Sequence, residues 1–299
     1  MYRFMLALAL AAACQAHDPA LEHKVDTLAT QIAAMQHDVA ALRAAVEHPA
    51  APNELDAKVA DLQRKLDTVA RGMPRPRHPE PDPDRVYAVA VDGYASEGPA
   101  DAKVTMVLAF DYADPYTEKT RDGRVEMRKK YGNDLRIVYR NFVVHPQVAK
   151  APALGGCAAN KQHKFTAFDA IAWTKGFDEE SYDVDSSPEC WETDAGCPIV
   201  LAFAKQAGIT DLARFKRDMK ACDAELEVDV HQMQQLGIHA TPSFFINGRY
   251  IVGALPTETF EALVDAELAK ANERIRAGAK AATYYKDWVL AKGLTRLEP

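Results

Sequence analysis

Apolar residues recur near the start of the chain at Leu21, Val25, Leu28, Ile32, Met35, Val39, Leu42 and Val46, with steps that alternate four and three. That is a heptad seam, with Val25, Ile32, Val39 and Val46 at position a and Leu21, Leu28, Met35 and Leu42 at position d. β-Branched residues at a with mostly leucine at d favour a parallel two-stranded coil, a three-stranded one being the alternative. A helix lying on its own globular domain has a wider apolar face than this seam, so self-association through 21–46 is expected. Pro49 and Pro52 interrupt the helix, because each removes a backbone donor and clashes with the preceding turn. The same spacing resumes at Leu55, Val59, Leu62, Leu66 and Val69, which either extends the stalk after a bend or folds back on it.

The pattern then changes. Gly72 to Asp84, GMPRPRHPEPDPD, reads as an extended, semi-rigid linker. Val86 to Val91 alternates like an edge strand, and Val104 to Asp111 is a continuous apolar run of the kind found in a central strand. Glu118 to Tyr131 is helical, and Leu135 to Phe142 reads as another strand. Helices follow around Ala149 to Lys175, Ile199 to Gly208 and Leu212 to Leu236. A strand from Ser243 to Asn247 pairs through the Asn247-Gly248 turn with Tyr250 to Val252. A helix at Thr257 to Arg276 and a last one at about Ala279 to Lys292 close the chain. A βαβ unit, a helical insertion at about 147–237 and a ββα unit make an α/β domain over 86–299.

The 299 residues carry 36 basic and 43 acidic side chains, a net charge of −7, without a long basic run, which argues against a nucleic-acid surface. Met1-Tyr2-Arg3, the apolar run Phe4 to Ala13 and Cys14 form an export signal too short to span a bilayer. Leu10-Ala11-Ala12-Ala13-Cys14 resembles a bacterial lipobox, which implies a signal peptide of residues 1–13 and a lipidated Cys14 at the start of a segment reaching residue 71. Gln15 at the next position favours the outer membrane in a Gram-negative host. The other cysteines, Cys157, Cys190, Cys197 and Cys222, allow three pairings. The short loop between Cys190 and Cys197 favours a local bridge, which leaves Cys157 with Cys222. The nine histidines show no zinc spacing with cysteine, so no metal is expected, and no cofactor either.

The stretch VTMVLAFDYADPYT, from Val104 to Thr117, resembles the active-site segment of the DsbA-like thiol oxidoreductases, written roughly F-x-x-C-P-Y-C. GIHATPSFFINGRYIVGA resembles the same family's cis-proline strand and hairpin, and LRIVYRNFVVHP and CAANKQHKF match as well, over about Gly98 to Leu268. The resemblance implies a thioredoxin fold with an inserted helical domain, behind an N-terminal α-helical coiled-coil stalk and a linker at 72–85. It also matches a structural bridge between Cys157 and Cys222. In the family a cysteine at the helix start holds a stabilised thiolate that attacks a substrate disulfide, and a second cysteine resolves the mixed intermediate. Here Asp114 stands at the first position and Thr117 at the second, around Pro115 and Tyr116. A carboxylate is a good N-cap and proline suits the first helical position, but neither Asp114 nor Thr117 can exchange disulfides. No catalytic residue is expected. Thr241 and Pro242, with Tyr112 and Tyr116, are expected to line a groove that takes an extended chain by strand addition.

The expected function is therefore a lipid-anchored, dimeric or trimeric scaffold for protein segments of the cell envelope. One rival is a thiol–disulfide oxidoreductase using Cys190 and Cys197, although acidic Glu192 and Asp194 between them work against a thiolate. A second is a glutathione-dependent isomerase or transferase. The glutathione transferase kappa and hydroxychromene-carboxylate isomerase group shares the fold, with a Ser-Pro-Tyr-like turn at the same place. His145-Pro146 fits a loop role rather than catalysis.

Overall fold

Strand β2, Val104–Phe110, is buried along its whole length because both faces of the sheet are covered. Its alternating side chains divide between two cores. Val104, Met106, Leu108 and Phe110 enter one with Leu135, Ile137 and the inserted helices, while Val107 and Ala109 enter the other with Tyr87, Val89, Met233 and Phe245. A strand that faces apolar layers on both sides reads as an unbroken apolar run, as this one does. This computed structural model describes residues 79–182 and 189–297. The signal segment, Cys14, the heptads at 21–46 and 55–69 and the first part of the proline-rich stretch lie outside the described residues.

The sheet has five strands in the order β1 (Ser96–Glu97), β3 (Leu135–Asn141), β2, β4 (Ser243–Ile246) and β5 (Arg249–Val252). β2 and β3 are parallel and joined by α1 (Pro115–Glu118) and α2 (Arg121–Tyr131), whereas the other pairs are antiparallel. The helical insertion holds α3 (Pro146–Lys161), α4 (Phe165–Ile171, continued as a wider turn through Phe177), α5 (Pro198–Gln206) and α6 (Leu212–Gln235). Helix α7, Thr257–Arg276, follows β5. Asn247 and Gly248 turn between β4 and β5 with φ of 46° and 83°. At Gly248 a Cβ would stand 2.6 Å from the Tyr87 carbonyl, so only glycine fits.

Three expectations are corrected. Val86 to Val91 keeps its alternation, with Tyr87, Val89 and Val91 buried, but it does not join the sheet. It bridges in parallel to Leu294 and donates from the Tyr87 amide to the Gly248 carbonyl at 2.8 Å. The helix expected over 149–175 stops at Lys161 and restarts at Phe165, because His163 takes a positive φ of 57° that no α-helix contains. The final helix is a 3₁₀ turn at Ala281–Thr283 followed by a wide turn at Lys286–Leu290. The end of the proline-rich stretch also packs on the domain: Pro81 is buried, and the Pro83 carbonyl accepts from Arg249 Nε at 3.2 Å.

Arg140 of β3 is fully buried and fastens the sheet to α6. Its Nε and Nη2 donate to Asp229 Oδ1 at 3.1 and 2.8 Å, Nη2 also reaches Gln232 Oε1, and Nη1 donates to the Ala90 carbonyl at 2.9 Å. The Tyr94 ring centre lies 3.8 Å from the guanidinium carbon. Burial raises the Asp229 carboxyl above its usual range despite the pull of Arg140, and burial likewise pushes Tyr94 up to about 12. Removing one partner strands the other charge in the interior. Arg140→Met is expected to cost about 3–5 kcal/mol in urea unfolding, with most of that loss recovered in Arg140→Met/Asp229→Leu. An Arg140→Met variant as stable as the native chain would contradict this reading.

Candidate functional site

The site is built where β2 ends. Asp111, buried at 1% exposure, accepts from the Ala113 amide through Oδ1 at 2.7 Å. Its Oδ2 accepts from the Val144 and His145 amides at 2.6 and 2.8 Å, with His145 Nδ1 at 3.3 Å. One carboxylate thus ties the turn after β2 to the turn after β3. Three residues on, Asp114 begins α1. Its Oδ1 accepts from the Tyr116 amide at 3.0 Å, and its Oδ2 accepts from the Thr117 amide at 3.0 Å and the Thr117 hydroxyl at 2.6 Å. Pro115 takes the first helical position, where no amide is needed.

Both positions expected to replace thiols are therefore turned inward and satisfied by each other. Asp114 is 4% exposed and Thr117 fully buried. The Thr117 hydroxyl donates to Asp114 and is not offered outward, so neither of these two positions presents a free hydroxyl to a glutathione thiolate.

The Thr241–Pro242 bond is cis. Pairing of Ala109 with Ser243 brings that bond to the same end of β2. The Pro242 carbonyl accepts from the Gly253 amide at 2.9 Å. Among the described residues neither the Thr241 amide nor its carbonyl makes a hydrogen bond. Tyr116 is 58% exposed. Tyr112 is not part of this surface, which corrects the expectation that it lines the groove: it is wholly buried. Its position follows an aspartate in the turn, where an exposed ring is the natural reading. Instead its hydroxyl donates to Asp169 at 2.8 Å and its ring packs on Phe110 and Trp173. Two exposed apolar residues that sequence reasoning missed lie on the converging segments: Val144, held through Asp111, and Leu255, two residues past the Gly253 contact. The available signal was that each stands directly before a turn-forming segment, His145-Pro146 and Pro256.

Both disulfides form as expected, Cys190 with Cys197 and Cys157 with Cys222. Cys197 precedes α5, a placement that stabilises a thiolate, yet it is fully buried and Cys190 nearly so. Cys157–Cys222 ties α3 to α6, and Glu225 Oε2 lies 3.7 Å from Cys157 Sγ. That grouping of two sulfurs and a carboxylate has metal-like proximity, but both sulfurs are committed to the disulfide.

A family model described as thioredoxin matches residues 93–266. The chain belongs to the thioredoxin family. Its fold is the DsbA-like form of it: BdbD from Bacillus subtilis, oxidised, is 19% identical with a TM-score of 0.52, covering 64% of this chain and 100% of that one. α-DsbA1 from Wolbachia pipientis is 16% identical with a TM-score of 0.50, covering 62% and 96%. Parts of two proteins named Na⁺/H⁺ antiporter NhaA are also similar to this chain. That of Herminiimonas arsenicoxydans is 26% identical over 171 residues, or 56% of this chain and 25% of that protein. That of Nitrosospira multiformis is 26% identical over 178 residues, or 58% and 26%. The chain spans about a quarter of the length of these relatives.

Beneath the thioredoxin-family turn, burial raises the Asp169 carboxyl above its ordinary value of 3.8, opposed by Arg124 and by the Tyr112 hydrogen bond. A raised folded-state value means the protonated form is favoured in the fold. The stability it contributes is complete below the unfolded value and is lost as pH rises through the higher folded one. Asp169→Asn is expected to flatten the part of the fall in unfolding free energy that sets in as pH rises above the ordinary carboxyl value of 3.8, as measured by urea titration at stepped pH. A variant with the native slope would contradict this.

Proposed function

We propose that this chain is a lipid-anchored envelope protein whose DsbA-like domain has lost disulfide chemistry and holds extended protein segments. The observation that carries this is the pairing of Asp114 with Thr117, which fills the catalytic turn with a saturated carboxylate and a buried hydroxyl. A carboxylate cannot act as the attacking sulfur, and no thiol stands at the resolving position. The open Thr241 backbone, and exposed Tyr116, Val144 and Leu255 on segments that meet the end of β2, support binding by strand addition with an apolar rim. The N-terminal apolar run ending at Cys14 supports lipid anchoring, and the two disulfides fit an oxidising compartment. Among the described residues no helix is long and apolar enough to cross a membrane. The antiporter relatives join a similar stretch to proteins that move ions across membranes, which also favours a membrane-associated setting. Self-association through the heptads at 21–46, as a dimer or trimer, would place several grooves side by side on the outer membrane.

A second reading has Cys190 and Cys197 exchange disulfides, and the start of α5 at Cys197 favours it. Their burial opposes it, since a substrate sulfur has to reach the attacked one.

The test is calorimetric titration of the full chain with a reduced, carboxymethylated, unfolded polypeptide, which offers extended backbone but no disulfide. Saturable binding is expected, weakened about tenfold or more in Tyr116→Ser/Leu255→Ser, as for truncated anchor residues in other interfaces. Absence of binding, or binding indifferent to both substitutions, would overturn the proposal.

A further inference from the structure

Although the chain is acidic overall, its end is not. Lys270 to Leu297 holds seven lysines and arginines against two acidic residues, Glu273 and Asp287. The centre of this region is Trp288. Lys292 Nζ lies 3.4 Å from the centre of its ring and the Arg274 guanidinium carbon 4.2 Å. The Tyr284 ring stacks on Trp288 at 6.4 Å and 22°, and its hydroxyl accepts from Arg274 Nη1 at 2.9 Å. Two cations are thereby gathered on one indole. Among the described residues neither has a carboxylate within ion-pair distance. Glu267, two turns earlier on α7, is already taken by Lys270 at 2.7 Å and Arg249 at 3.7 Å. Arg276 and Lys286 are exposed beside this centre in sequence.

The aromatic ring offsets only part of the repulsion between two like charges, and burial of the partner ring limits how far they can move apart. An anion within reach of both would offset the rest. From this Trp288 cluster we infer a docking surface for anionic phospholipid headgroups. Clustered lysine and arginine draw a protein to a negatively charged leaflet over about a Debye length of 10 Å. A half-exposed tryptophan among them suits the headgroup layer, where its apolar ring and polar N–H are both accommodated. The phosphates of a nucleic acid share the charge but make no use of an indole at that depth. The inference uses neither the peptide-holding groove nor the acyl chain; it gives the folded domain its own contact with the membrane.

Vesicle co-sedimentation tests it, with the full chain carrying Cys14→Ser so that no acyl chain contributes. Binding is expected to vesicles containing phosphatidylglycerol and not to pure phosphatidylcholine, and to be lost in molar sodium chloride. Arg274→Gln/Lys292→Gln is expected to weaken it about tenfold or more, and Lys292→Arg to leave it unchanged. Circular dichroism melting of each variant identifies any that fails to fold, and Lys292→Gln alone, at an exposed position, serves as a second probe of the same cluster. Equal binding to neutral and anionic vesicles, or anionic binding indifferent to the charge-removing variants at Arg274 and Lys292, would overturn the inference. So would duplex DNA binding that depends on Arg274 and Lys292 while anionic vesicles are ignored. Because polypeptide titration reads the groove separately, failure here leaves that reading standing.

Discussion

A single carboxylate decides what this thioredoxin-family domain can do. Asp114 accepts two backbone amides and one hydroxyl at the start of α1, an arrangement in which a side-chain oxygen supplies the partners that a helix cannot find within itself. The cap is worth about 1 kcal/mol, and it needs no sulfur. Once the structural requirement of the turn is met by an acid, the turn can persist after the chemistry is lost.

The surrounding frame is fixed by other buried polar contacts. Asp111 joins the turns after β2 and β3, Asn247 Oδ1 accepts from the Thr105 amide at the far end of β2, and Arg140 with Asp229 locks the inserted helices to the sheet. Each places a charged or polar group in the interior only where several partners meet it, as low dielectric demands. Because the sheet and insertion are held at three points, the strand that begins just after cis Pro242 keeps its place beside the turn. An unpaired backbone at Thr241, in the segment that leads into β4, is suited to pairing with an extended chain.

Much of this was legible in the amino-acid order. The apolar run of β2, the Asn247-Gly248 turn, α7 and the Asp114-Pro115 helix start all follow from local rules that the fold obeys. The pairing of Cys190 with Cys197 was legible from loop length, and that of Cys157 with Cys222 by elimination and family likeness. What was not legible depended on distant partners. Val86 to Val91 has the alternation of a strand, but its hydrogen bonds go to residues 248 and 294, a choice no local pattern encodes. Tyr112 stands in a turn where an exposed ring is the local expectation, and its burial depends on Asp169, 57 residues later, accepting its hydroxyl. Helix α3 ends early because of one backbone conformation at His163, a residue type that does not announce it.

The most direct measurement of the central claim is insulin disulfide reduction by the full chain beside its Asp114→Cys/Thr117→Cys variant. The native chain is expected to show no turnover above the uncatalysed rate. The variant, with a thiol at the head of α1, is expected to show turnover and a thiol pKa below about 8.5. Native turnover at the variant's rate would contradict the account.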